Sequence, residues 1–269
     1  STGTGKTKPK TAVDIATKLR LSPQQFEVLK RYKLLVKAGW YSEAKQELQF
    51  LPEAVGFAEK VIYAKLYFQT ESYPLVIRLI NEATDLDATA REPNILSMAF
   101  PRIYPEIVAQ EAEKNRLNPL VIWGLMRQES AFDAMAVSSS NALGLMQLIP
   151  PTAQEVAGYL KIKNLQTPKD VFVPAINIKM GSRYIRQMLD AFGGNLPLAF
   201  ASYNAGPTRM KLWVDARGSK DFLDDDIWYD EIPWSETSFY VKAILRNMLI
   251  YKMLEGSPFK VAQPVWKTF

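Results

Sequence analysis

Apolar positions recur at helical spacing along almost the whole chain, in two groups separated by a polar connection. From Thr11 to about Ser97 the pattern predicts helical hairpins. Ser22 stands as an N-cap and Pro23 as a first helical residue ahead of Phe26, Leu29, Tyr32, Leu34 and Val36, and Gly39 stops that helix. A second helix is predicted through Ala44, Leu48 and Leu51, a third from Ala54 to Phe68, and a fourth from Tyr73 to Ile80. KLLVKAGWYSEA, starting at Lys33, aligns faintly with KLYFQTESYPLV, which starts 32 residues later at Lys65. That offset suits a helix-turn-helix repeat. A plain antiparallel layer, with Trp40, Tyr41 and Tyr73 packed between helices, explains it equally well.

The run from Thr84 to Ser97 is polar and interrupted by Pro93, which places a domain boundary near residue 98. Helical spacing then resumes at 103–113, 119–130, 152–159, 176–192, 196–203, 207–213 and 237–254. No stretch alternates long enough for a sheet. The prediction is an all-α protein with at most a minor β element: a helical hairpin domain over 11–98 and a second α domain over 99–269. Residues 1–10 have no large apolar side chain and read as a flexible tail. GTGKT within it lacks the strand, glycine spacing and helix of a phosphate loop.

Composition narrows the chemistry more than the fold. The 269 residues are 48% hydrophobic, enough for a sizeable core. The net charge of +5 suits an anionic partner without naming one. The chain has no histidine and no cysteine, which excludes Ser-His and Cys-His catalysis, thiolate chemistry, Cys/His zinc sites and disulfides. Carboxylate, Lys, Tyr, Ser or Thr chemistry remains. No apolar run reaches the length of a membrane span, and the first residues contain no signal-type apolar segment.

Asn118 and Pro119 open a helix whose LVIWGLM segment is apolar on nearly every face, and which ends in Arg127, Gln128, Glu129 and Ser130. A carboxylate there is costly to bury in ionised form, so Glu129 is a candidate general acid. Eighteen residues after it, Gln147 ends GLMQ, in which Gly144 permits close backbone approach. Tyr203 and Asn204 begin a YNAGP turn, and IPWSET, containing Glu236, precedes a long amphipathic helix.

In this order and spacing, ES, GLMQ, YNAGP and IPxxET resemble the soluble lytic transglycosylases of the goose-lysozyme-like superfamily. The resemblance covers roughly Phe100 to Leu254 and includes the NIKMGSRYI helix; the hairpins before it resemble, by architecture, a superhelical segment of larger members. It implies a lysozyme-like α domain that cleaves the β-1,4 bond between N-acetylmuramic acid and N-acetylglucosamine of peptidoglycan without adding water. Glu129 would protonate the glycosidic oxygen, then take the proton of the C6 hydroxyl as a 1,6-anhydro ring closes. No metal or organic cofactor is implied.

The resemblance assigns substrate contacts to Ser138, Met146, Gln147, Tyr203, Asn204 and Glu236. It also implies a periplasmic or cell-envelope location, with glycan strands as partner and cell-wall proteins reached through the N-terminal helices. No nucleic-acid partner or transmembrane segment is expected. The chain departs from the family pattern at Ser238, where arginine is usual, and at Asn141, where glycine is usual before GLMQ.

An intramolecular hydroxyl removes the need for the second carboxylate of a hydrolytic glycosidase. Asp133, four residues after Glu129, reads as a turn residue rather than that second acid. The acidic run Asp221–Asp230 lacks the glycine and terminal glutamate of a calcium loop and reads as solvated. Among the tryptophans, Trp123 reads as core, while Trp228 and Trp234 are the better cleft candidates. A hydrolytic muramidase of the same fold and a non-catalytic wall-binding protein are the competing readings.

Overall fold

A computed structural model describes residues 12–218, 223 and 226–269; the tail expected at 1–10 lies outside the described residues. The described residues contain thirteen α-helices and no strand. The β content is two isolated bridges, Val137 to Leu143 and Leu143 to Leu148. The chain divides into two compact units, 1–101 and 102–269.

The first unit contains α1 (Ala12–Lys18), α2 (Pro23–Lys37), α3 (Tyr41–Glu47), α4 (Phe57–Gln69), α5 (Tyr73–Leu86) and the single-turn α6 (Pro93–Leu96). At α2 the Ser22 hydroxyl accepts from the Gln25 amide at 3.3 Å, and the Gln25 side chain accepts from the Ser22 amide at 3.0 Å. This reciprocal cap satisfies two of the donors left over at a helix start. α4 starts at Phe57, with Gly56 as its N-cap, rather than at Ala54, because the Glu59 carboxylate accepts from the Val55 and Gly56 amides. Leu29, Tyr32, Leu48, Leu66, Val76 and Ile80 fill the core, and the Tyr32 hydroxyl donates to the Leu66 carbonyl at 2.6 Å, tying α2 to α4. Trp40 and Tyr41 are not packed between helices: Trp40 is 61% exposed. Trp40 is the N-cap of the short α3, whose buried residue is Ala44, and among the described residues no second layer covers the indole.

The second unit contains α7 (Pro105–Asn115), α8 (Pro119–Ser130), α9 (Pro150–Tyr159), α10 (Pro174–Ala191), α11 (Leu196–Ala205), α12 (Pro207–Asp215) and α13 (Ser235–Met253). Each of α7 to α12 has proline in its first turn, where the missing amide proton costs nothing. In α8 every residue from Leu120 to Met126 is buried. Gly124 lets α13 approach closely, since a Cβ there would lie 3.1 Å from Met248 and 3.4 Å from Ile244. Trp123 is core, as its sequence context suggests, and its indole donates to the Ile103 carbonyl. No helix among the described residues is long and apolar enough to cross a membrane.

Candidate active site

The C-terminal end of α8 opens onto a cavity of about 510 Å³. The helix stops there because Ala131 turns left-handed, at φ +49°, and its amide returns to the Met126 carbonyl. Glu129 therefore sits in the last turn of a buried helix, with its carboxyl group on the cavity wall. Burial pushes its pKa up to about 7; a hydrogen bond from Tyr240 works in the opposite direction, and the negative charge of Glu236 adds to the rise. The Tyr240 hydroxyl donates to Glu129 Oε1.

The second wall is the turn from Ala136 to Leu148. The Ser138 hydroxyl accepts from the Ser140 and Ala142 amides, at 3.2 and 3.0 Å, so its oxygen holds the turn while the residue lines the cavity. Asn141 adopts φ +58°, a left-handed conformation that asparagine tolerates better than most residues, and thus stands in for glycine. Gly144 is required where it lies: its φ is +73°, and a Cβ would fall 2.5 Å from Asn177 Nδ2. Gln147 donates through Nε2 to the Gly144 and Ala136 carbonyls and lines the cavity.

Met146 departs from expectation. It is fully buried and absent from the cavity wall, and its sulfur occupies the space a Cβ on Gly181 would need. Left-handed φ angles at Gly144 and Gln147 turn the intervening side chain into the core. The Met146 main chain, by contrast, is central. Its carbonyl accepts from the Tyr203 hydroxyl at 2.7 Å, and its amide donates to Asn177 at 2.8 Å.

The third wall comes from α11 and α13. Tyr203 packs against Tyr184, with ring centroids 5.0 Å apart. Burial and the nearby Glu129 charge hold the Tyr203 and Tyr240 phenols well above their ordinary pKa, so both remain protonated donors. Asn204 donates to Glu236 at 3.4 Å and accepts from the Thr237 hydroxyl at 2.7 Å. Glu236 stands in the first turn of α13, where the helix dipole favours a carboxylate, and reaches the cavity. Ser238, at the family's arginine position, is buried.

The cavity thus brings together Glu129, Ser138, Gln147, Tyr203, Asn204 and Glu236. Asp133 is not on its wall; its carboxylate accepts from the Met135 amide and serves as a turn cap. Trp228 corrects the cleft reading given to it, being 1% exposed and packed between Trp213 and Tyr229. Of the acidic run, Asp226 accepts from Tyr229 and the Val265 amide, and Asp230 pairs with Lys242.

Sequence reasoning missed three residues. Tyr240 lies one helical turn after Glu236 and so shares its face, a spacing visible in the sequence. Tyr184 was hidden in the apolar pattern of α10. Asn177 is wholly buried, and its amide donates to the Leu143 and Val171 carbonyls while its oxygen accepts from Met146. A lone amide among apolar helical positions is the signal for such a role.

The family described as Transglycosylase SLT domain matches residues 106–225, which span α7 to α12 and the Glu129, Gln147 and Tyr203 walls. Residues 106–225 belong to this Transglycosylase SLT domain family. A relative from Haemophilus influenzae is 30% identical over 217 residues, 79% of this chain and 34% of the relative. The soluble lytic murein transglycosylase of Escherichia coli K12 is 30% identical over 161 residues, 60% of this chain and 25% of that protein. This chain therefore spans a quarter to a third of the length of these relatives. Among solved structures, an inactive Glu-to-Gln variant of lytic transglycosylase Slt from Pseudomonas aeruginosa superposes with a TM-score of 0.71 at 30% identity, covering 91% of this chain and 38% of that one. The SLT match ends before α13, so Glu236 and Tyr240 come from outside the matched segment.

Proposed function

We propose that this chain is a peptidoglycan lytic transglycosylase that cleaves the β-1,4 bond between N-acetylmuramic acid and N-acetylglucosamine and leaves a 1,6-anhydro end. The observation that carries the reading is Glu129, a carboxyl group with pKa pushed up to about 7 on the wall of a cavity large enough for sugars. At neutral pH such a group exists in both protonation states, which suits one residue acting as acid and then base.

In the first step the Glu129 proton passes to the glycosidic oxygen as the C1–O bond breaks, leaving an oxocarbenium-like sugar and a Glu129 carboxylate. In the second the carboxylate takes the proton of the C6 hydroxyl of the same sugar while O6 bonds to C1. No water is consumed, and Glu129 returns protonated. The nucleophile is tethered to the electrophile, so its effective concentration is high without a positioned water. Tyr240 holds Oε1 of the carboxylate and keeps it aimed through both steps. Tyr203 acts at one remove, fixing the Met146 carbonyl and the turn that carries Gln147. Ser138, Gln147, Asn204 and Glu236 are assigned to holding the sugars. Catalysis is assigned to 99–269, and the hairpins of 11–98 to partner or strand contact, in the periplasm or cell envelope.

Glu236 supplies the one observation that favours a hydrolytic muramidase, a second carboxylate in the same cavity. Its bond from Asn204 favours sugar holding instead. Mass spectrometry of soluble products from purified sacculi separates the readings. Anhydro products, about 18 Da lighter than hydrolysed ones by the loss of one water, are expected from the native chain and not from Glu129→Gln. Reducing ends would establish the muramidase, and strand binding without products would establish a wall-binding protein.

A further inference from the structure

Two side-chain hydrogen bonds join the last turn of α8 to α13. In one the Tyr240 hydroxyl donates to Glu129 Oε1. In the other the Arg127 guanidinium donates through Nη1 to the Asn247 side-chain oxygen at 3.0 Å. Tyr240 and Asn247 stand two turns apart on one face of α13. Their partners on α8 do not share a face. A Cβ on Gly124 would touch Met248 and Ile244, so Gly124 faces α13. At about 100° per residue, Arg127 lies about 60° to one side of that direction and Glu129 about 140° to the other. The two bonds therefore take α8 from opposite flanks and oppose its rotation in either sense.

The apolar contacts between the helices set no such angle. Ile244 and Met248 are fully buried, and attraction between side chains of this kind depends on area rather than direction. Yet a turn of about 10° carries an atom at the helix surface, about 5–6 Å from the axis, through about 1 Å, which is the difference between a hydrogen bond and none. Asn247 is wholly buried, and its Nδ2 has no hydrogen-bond partner. That orphan donor lowers stability, and a leucine of similar shape would not carry it. What leucine lacks is the oxygen that Arg127 meets. Burial pulls the Arg127 pKa down to about 10, and a desolvated cation gains more from an acceptor than an exposed one does.

We infer that Arg127 and Asn247 are positioning residues, which fix the rotation of α8 against α13 so that the Glu129 carboxyl group meets the Tyr240 hydroxyl. Neither lines the cavity, so both act through the helices that carry the reacting groups. The inference rests on Glu129 as the acid of the proposed reaction and adds the device that aims it.

Four variants test this. Asn247→Leu removes the acceptor, Asn247→Asp keeps one for Arg127, Ile244→Val loosens the same interface without touching either bond, and Tyr240→Phe removes the bond to Glu129. The first readout is carbon NMR titration of the Glu129 carboxyl group, its signal identified by its loss in Glu129→Gln. Glu236 of α13 and Tyr203 of α11, which also act on this site, are the same in all four. Asn247→Leu is expected to raise the midpoint by about 0.5–1 pH unit, the loss of one hydrogen bond to the carboxylate, while Ile244→Val and Asn247→Asp leave it in place. Added to Tyr240→Phe, Asn247→Leu should move it no further. The second readout is anhydro-product release from glycan strands. Its kcat should fall about tenfold in Asn247→Leu at unchanged KM and recover in Asn247→Asp.

If Asn247→Leu does not fold, Asn247→Ser, whose oxygen is set back by one bond, carries the same expectations. A midpoint that stays in place, or that moves as far in Ile244→Val, overturns the inference. Full additivity with Tyr240→Phe, or a kcat that does not recover in Asn247→Asp, overturns it as well. Absence of anhydro products from the native chain refutes the proposed reaction instead, and the carboxyl titration then still decides the positioning role on its own.

Discussion

Replacing Glu129 by glutamine should stabilise the protein, and the gain should depend on pH in one direction. The carboxyl group has an ordinary pKa of 4.5, pushed up to about 7 in the folded chain, first by burial and then by the charge of Glu236. The folded state therefore binds more protons than the unfolded state between these values. Stability is greatest below about pH 4.5 and falls as pH rises through about 7, where the buried carboxylate finally ionises. At about 1.4 kcal/mol per pH unit, the interval from 4.5 to about 7 represents on the order of 3 kcal/mol of folding stability lost by pH 8. Glutamine has the same shape and no charge, and it can still accept the Tyr240 hydrogen bond. For a unit of this size each kcal/mol moves the melting temperature by about 2–4 °C, so the variant should melt about 6–12 °C higher at pH 8. At pH 4 the two proteins should melt together. Circular dichroism melts across pH 4 to 8 make the comparison. A variant no more stable than the native chain at pH 8, or one whose advantage is the same at pH 4, would show that Glu129 is not a buried acid held above its ordinary pKa.

Three further substitutions address the neighbours of Glu129. In Tyr240→Phe the hydrogen bond that lowers the Glu129 pKa is lost, so the alkaline limb of anhydro-product release should move up by about one pH unit; a limb that stays or moves down contradicts the assignment. Asn177→Ala leaves the Met146 amide and the Leu143 and Val171 carbonyls without their partner, and urea titration should record a loss of about 3 kcal/mol. Gly181→Ala would set a Cβ 2.3 Å from the Met146 sulfur and 2.7 Å from its Cβ, so the core must shift at a cost of about 1–3 kcal/mol in the same titration. A neutral result there would mean that Met146 can leave the core, and would reopen its expected place in the cavity.

The helices could be read from local signals because their ends are chemical events. Ser22 with Pro23 and Asn118 with Pro119 announce helix starts in any tertiary context, and both caps form as the residue types require. What covers a helix is a different matter. Trp40 follows a glycine turn and looks like a packed aromatic, yet its exposure depends on the absence, among the described residues, of a layer opposite α3, which no local pattern encodes. Trp228 fails in the opposite sense. Its sequence is loop-like, but a short 3-10 turn over Trp228–Asp230 folds the indole against Trp213, so irregular backbone here is core.

The site divides along the same line. Glu129 could be argued from one helix because its environment is made by that helix: seven buried residues precede it, and the pKa follows from burial. Gln147 and Met146 are adjacent in the sequence, yet left-handed backbone at Gly144 and Gln147 sends the amide to the cavity and the thioether into Gly181. Side-chain direction in a turn is set by φ, and only the glycine advertises a positive value in advance. Tyr240 depends on still longer reach, because it becomes a partner of Glu129 only when α13 lies against α8, and Gly124 is what permits that approach. The acid was therefore visible from its own helix, while the phenol that orients it had to wait for the packing of two helices more than a hundred residues apart.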